Sequence, residues 1–229
     1  MYRKIHIDFQ KDEYCYFCNS NKLLKKGILL IDTQTNKRYI SSLTCIEKVK
    51  NEIYNYDEKI PDLTRGVISL ASNSMGSTKN PSNELVRIMP PLEYLILRQN
   101  KLQDFKGISY WKIEDIYQYY SKFFIITPQQ EKRLLGLIQT TKAKFPHLAP
   151  RNLQKVYAAS YWLNYSIEKQ YNKKSKDFLN SVLQFYKTKG FVTTAQEKYV
   201  QKTLEWLNDS LDNKFKKVPR IEFPQFCSQ

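Results

Sequence analysis

Cys15 and Cys18 stand two residues apart, and Cys45 follows beyond an apolar insert. A Cys-x-x-Cys turn lets two thiolates reach one ion from a tight knuckle, and a third thiol completes most of a structural zinc site. This trio constrains the fold more than any other feature, because the chain between 18 and 45 must leave the knuckle and return. The flanking pattern supplies a route. Ile5, Ile7 and Phe9 alternate with Lys4, His6 and Asp8, the period of a half-buried strand over 2–9. Residues 27–32 read as a second strand, Thr33-Gln34-Thr35-Asn36 as a polar turn, and 37–41 as a returning strand. Ser42 or Thr44 is placed to cap a helix running from near Cys45 to about Tyr56. Knuckle, hairpin, then a helix with a cysteine in its first turn is the order of a treble-clef zinc finger. The helix dipole at that turn favours the thiolate.

The ligand set expected from this pattern is Cys15, Cys18 and Cys45, with His6 returning from the first strand as the fourth. Glu47 and Lys48 occupy the place where a complete finger carries its last ligand. Cys227 from the tail, Asp32 and Glu47 are further candidates. Two other readings stay open: three small buried thiols in a metal-free core, and a redox pair at Cys15 and Cys18. No thioredoxin-like βαβ pattern follows the pair.

After residue 60 the composition shifts. Pro61, Gly66, Gly76, Pro81, Pro90 and Pro91 sit among many Ser and Asn, so 61–90 reads as a linker or long loop. From 91 the periodicity is helical, with candidates at 92–104, 110–123, 128–143, 150–169, 175–188 and 194–212. Residues 112–139 and 178–205 match at an offset of 66, with Ile116 on Val182, Tyr120 on Tyr186, Thr127 on Thr193 and Gln130-Glu131-Lys132 on Gln196-Glu197-Lys198. Each unit reads as helix, connector, capping Thr, second helix. Residues 218–229 read as an extended tail. The expected class is therefore α+β: a small zinc-finger-like module over 1–60, then a helical bundle over 91–217 with an internal two-helix repeat.

Chemistry beyond the cysteines is sparse. There is no Walker-type loop, no Gly-x-Ser-x-Gly and no His-Glu-x-x-His. His147 lies in a proline-bounded turn, and carboxylate neighbours such as Glu114 and Asp115 diverge on a helix. The pattern excludes the common catalytic motifs and suggests no small-molecule substrate. The 37 basic residues outnumber 22 acidic ones, for a net charge of +15. Such a surface attracts polyanions through counterion release and steering. Candidate phosphate contacts are Lys22, Lys25, Lys26, Lys37, Arg38, Lys173, Lys174, Lys176, Lys187, Lys189, Lys214, Lys216 and Lys217. The start carries no signal-peptide pattern and no stretch reaches the roughly 20 apolar residues of a membrane span. A reducing cytoplasm is the expected location, where a Cys-x-x-Cys pair is a metal or redox site rather than a structural disulfide.

Cys15-x-x-Cys18, the strand-turn-strand 28–41 and Ser42-Leu43-Thr44-Cys45-Ile46-Glu47-Lys48-Val49 together resemble a module of uncharacterised phage and plasmid proteins. The stretch from Phe178 to Gln196 is similar to helical segments of the same proteins. The resemblance implies a mobile-element origin and no defined activity. The expectation is a non-enzymatic protein that binds DNA or RNA, alone or in a nucleoprotein complex, with structural zinc as cofactor. The alternative is a protein-interaction module, such as a phage-encoded inhibitor of a host defence or transcription complex, or a virion component.

Overall fold

The computed structural model describes residues 1–18, 23–65, 91–212 and 215–227. Three strands, β1 (Tyr2–Phe9), β2 (Lys26–Asp32) and β3 (Arg38–Ser41), form one antiparallel sheet in the order β1-β2-β3. Among the described residues seven α-helices follow: α1 (Leu43–Lys48), α2 (Pro91–Ile96), α3 (Glu114–Phe123), α4 (Pro128–Lys144), α5 (Pro150–Lys169), α6 (Lys173–Lys189) and α7 (Thr194–Ser210). The class is α+β, with a small sheet followed by helices. Among the described residues no helix is long and apolar enough to cross a membrane.

The hairpin between β2 and β3 is closed by Asp32. Its carboxylate accepts the amides of Gln34 at 2.8 Å and Thr35 at 3.2 Å. Asn36 takes the left-handed conformation, φ 57°, which Asn tolerates because its short polar side chain bonds locally.

Both faces of the sheet are covered, so the half-buried strand expected over 2–9 is corrected. On one face Ile28 and Leu30 pack with Ile46 of α1 and Ile53. On the other, Ile5 and Ile31 join the core of the helical body. The pairing of β1 with β2 shifts register between Lys4 and His6. This bulge breaks the alternation. Lys4 turns toward the α1 side, where its Nζ lies 5.3 Å from the Tyr56 ring centre. His6 and Asp8 turn toward the helices. All three are buried, and each finds partners there.

The helical body is built around α5, where Leu153, Val156, Leu163 and Tyr165 are fully covered. Pro150 opens this helix at a position where a missing N–H costs nothing. Thr127 and Thr193 each close a capping box at the start of α4 and α7 with Gln130 and Gln196. Phe124 and Gly190, 66 residues apart, both end the preceding helix in the left-handed region, at φ 56° and 79°.

Residues 61–65, expected to begin a linker, run along β1 instead. Pro61 O accepts the Ile7 amide at 2.8 Å, and the Leu63 amide returns to Ile7 O at 3.0 Å. Glu93 of α2 holds the same segment: its buried carboxylate accepts the Asp62 amide at 2.8 Å and Gln154 Nε2 at 3.1 Å. Residues 66–90 lie outside the described residues. Within 215–227, Val218, Ile221 and Phe226 of the expected tail are buried against the helices. The stretch carries no helix or strand and is anchored by Tyr186 Oη donating to Pro224 O at 2.7 Å.

Candidate metal centre

Cys15 and Cys18 lie in the turn after β1, and Cys45 sits in the first turn of α1. Their sulfur atoms all lie within 4.8 Å of one another. A tetrahedral ion with bonds of about 2.3 Å needs sulfurs roughly 3.8 Å apart, so small rotations of the side chains suffice to bind one. The knuckle is pinned to the sheet, since the Tyr16 amide donates to Ile40 O at 2.9 Å. The third thiol is aligned by the cap of α1. Ser42 Oγ accepts the Cys45 amide at 3.1 Å, and the Ser42 amide donates to Cys15 Sγ at 3.3 Å.

Cys15 is buried. Burial pushes its thiol up. The amides of Ser42 and Phe17, the Ser42 hydroxyl and Cys45 outweigh that and bring it down to about 6. At neutral pH the sulfur is therefore a thiolate, the form that binds metal and reacts. Three cysteine sulfurs in one place can hold a metal ion.

Among the described residues no fourth His, Cys, Asp or Glu joins the three. His6 is on the other side of the sheet, with Nε2 3.7 Å from Asp8 Oδ2, because the bulge aims it at the helices. Cys227 packs against Gly190 in the helical body, with Sγ 3.6 Å from Lys106 O. Asp32 is spent on the hairpin turn. Glu47 accepts the Tyr56 hydroxyl.

The expected phosphate contacts divide. Lys25, Lys26, Lys37 and Arg38 are exposed on the hairpin. Lys173, Lys174 and Lys176 are exposed in the first turn of α6, and Lys189 in its last. Lys187 is paired with Asp104. Lys217 is exposed but donates to Asn208 O and Leu211 O at the end of α7. Lys216 is corrected. It is 4 % exposed, donates to Gln10 O and lies 5.7 Å from the Tyr165 ring centre. Burial pulls its amine down to about 8, so it ties the tail to β1 rather than meeting phosphate. Lys22 and Lys214 lie outside the described residues.

Two groupings escaped the sequence reading. Asp8 accepts the Tyr157 hydroxyl at 2.6 Å and lies 2.6 Å from Lys101 Nζ; its partners come from distant helices, and no spacing announces them. Tyr2, Tyr16, Phe17 and Tyr39 form an aromatic cluster beside the thiols, with Tyr16 and Tyr39 ring centres 4.3 Å apart. The signal for the second was present in Tyr16-Phe17, lying between two candidate ligands. No protein-family model, curated protein or solved structure matches the chain.

Proposed function

We propose that the protein is a non-enzymatic nucleic-acid-binding protein whose amino-terminal module is held together by a structural zinc ion on Cys15, Cys18 and Cys45. Zinc suits an all-thiolate donor set, and such sites contribute folding energy directly. A bound ion would tie the knuckle to the start of α1, in the manner of a treble-clef-like finger. The matching caps 66 residues apart support reading α3–α4 and α6–α7 as a repeated helix pair. A phage or plasmid origin, with action in the host cytoplasm, rests on the resemblance of residues 15–49.

The observation that carries the reading is the aromatic cluster at the knuckle. Tyr16 is 54 % exposed and packs on Tyr39, and the exposed Lys37 precedes Tyr39 by two residues, the spacing that shares one face of a strand. Aromatic faces beside cations are the ingredients of single-strand binding, where each stacked base is worth about 1–3 kcal/mol. The test is fluorescence anisotropy with single-stranded DNA, single-stranded RNA and duplex DNA over a range of salt. We expect binding that weakens linearly in log salt, and about tenfold or greater loss in Tyr16→Ala for the single strands. Absence of binding to all three at low salt sinks the proposal.

A second reading, a protein-interaction module such as an inhibitor of a host complex or a virion component, has its own support. Trp111 and Tyr171 are 78 % and 81 % exposed on the helical body, and large aromatics are enriched at interface centres. Capture of one defined host protein after nuclease treatment, lost in Trp111→Ala, would favour it.

A further inference from the structure

A cleft of about 290 Å³ separates the sheet from the helical body. It is far from neither element: Ile31 and Ile40 line it from the sheet, and Tyr117 and Phe124 from α3 and its cap. This volume is at the small end of ligand pockets, about 300–1,000 Å³, and matches a ligand the size of a nucleobase with its sugar.

The polar groups of the cleft define what it can take. Asp8 is buried, but its charge is already answered by Lys101 at 2.6 Å, the Tyr157 hydroxyl at 2.6 Å and the Phe9 amide at 2.8 Å. The interior therefore offers no free charge to a carboxylate or a metal ion. Two lining residues do carry unanswered polar atoms. His6 is 9 % exposed and Tyr120 5 %. His6 Nδ1 and the Tyr120 hydroxyl are both buried with no hydrogen-bond partner among the described residues. An unmet buried polar group costs about 1–3 kcal/mol, and both belong to residues that line this one cleft, so a ligand seated there that reaches them gains the bonds the chain itself does not supply.

Their roles differ. His6 Nε2 lies 3.7 Å from the Asp8 carboxylate, and a neutral imidazole offers one donor and one acceptor nitrogen. Burial raises the Tyr120 hydroxyl well above its ordinary value, so it stays protonated and can donate. An imidazole nitrogen and a hydroxyl donor among apolar and aromatic walls suit a neutral ring with a donor–acceptor edge. A purely apolar ligand would leave both unmet. At the rim, Arg38 lines the same cleft, is exposed, and has no side-chain partner among the described residues. It is placed to take an anion that remains in water.

We propose that this cleft binds a nucleoside monophosphate unit, the base inside against His6 and Tyr120 and the phosphate on Arg38. The unit is either a free nucleotide or a nucleotide of a strand. The cleft lies on the opposite face of the sheet from the thiol cluster, and the inference goes beyond strand binding, since a free nucleotide can fill it whether or not a polymer binds the knuckle.

The experiment is calorimetric titration of the full chain with AMP, GMP, CMP and UMP, with the matching nucleosides and with inorganic phosphate. We expect saturable one-to-one binding of at least one nucleotide, with its nucleoside about tenfold weaker for want of the charged contact. Arg38→Gln is surface-exposed and Tyr120→Phe keeps the ring, so both fold, as unchanged or higher melting temperatures will show. Each should weaken that nucleotide by about tenfold. The inference is overturned if none of the four binds at millimolar concentration, if phosphate alone binds as well as the nucleotide, or if neither variant changes affinity. A short oligonucleotide that displaces the nucleotide identifies the strand as the source, and one that does not identifies the free nucleotide. Oligonucleotide binding without nucleotide binding sinks the cleft alone; the converse sinks the strand-binding reading alone.

Discussion

The Ser42 amide donates to Cys15 Sγ at 3.3 Å while the Ser42 hydroxyl accepts the Cys45 amide at 3.1 Å. One residue thus bonds one thiol directly through its amide and, through its side chain, caps the helix turn that carries another. Outer-shell bonds of this kind fix the direction of ligand sulfurs and stabilise the thiolate. Ser42→Ala keeps the amide and removes the cap. We expect a loss of about 1 kcal/mol in urea unfolding, with metal affinity weakened by roughly tenfold, the size of effect outer-shell changes produce.

Asp8 is a buried carboxylate whose stability contribution has a defined pH sign. Burial alone would raise it, but His6, Lys101 and Tyr157 together hold it below the ordinary carboxylate value. A depressed folded-state value contributes stability that is present above the unfolded value of about 3.9 and lost as pH falls below it. Asp8→Asn should remove that acid dependence. It should also cost about 3–5 kcal/mol at neutral pH, because Lys101 is left without its counter-charge. Chemical denaturation at pH 7 and pH 3 checks both, and equal losses at the two values would contradict the assignment.

Two glycines should respond in opposite directions to alanine. Gly190 ends α6 at φ 79°, and a Cβ there would meet Cys227 Cβ and Sγ at 2.6 Å. Gly136 lies exposed within α4 with open space around its missing Cβ. We expect Gly190→Ala to destabilise by more than 1 kcal/mol, and Gly136→Ala to stabilise by about 0.5–1 kcal/mol. Thermal melts of the two variants side by side provide the comparison.

The capping threonines should behave alike. Thr127→Ala and Thr193→Ala each delete the side-chain acceptor for the third amide of a helix. Each should cost about 1 kcal/mol, and the double variant should cost the sum within about 0.5 kcal/mol, since the caps share no partner. A double variant no worse than either single would show that one of the caps is idle.

The helices were legible because their signals are local. Thr127 and Thr193 mark two starts, Pro150 a third, and the span expected for 150–169 is the span of α5. α1 is shorter than expected: it ends at Lys48, and a 3-10 turn follows at Lys50–Glu52. The reason is tertiary. Asn55 is taken by the backbone of Lys4, accepting its amide at 2.8 Å and donating to its carbonyl at 3.0 Å, and a helix through Tyr56 would forfeit both. The thiol trio was legible because two ligands are neighbours and the hairpin between them and the third is simple. His6 was misplaced because a single bulge turns it to the other side. Lys216 was misread because charge alone does not reveal that its amine meets Gln10 O, 206 residues away. The cleft was invisible for the same reason, as its walls come from β1, the hairpin and α3.

The convergence of three thiols on one ion is tested most directly by metal analysis of the full chain, purified without chelator, together with thiol titration. We expect one zinc per chain, with Cys15, Cys18 and Cys45 unreactive toward a thiol reagent until a chelator is added, while Cys227 reacts regardless. Removal of the metal should also lower the melting temperature, as Cys45→Ser should. A chain that carries no metal after growth in zinc, and whose thiol reactivity is unchanged by added zinc, would contradict it.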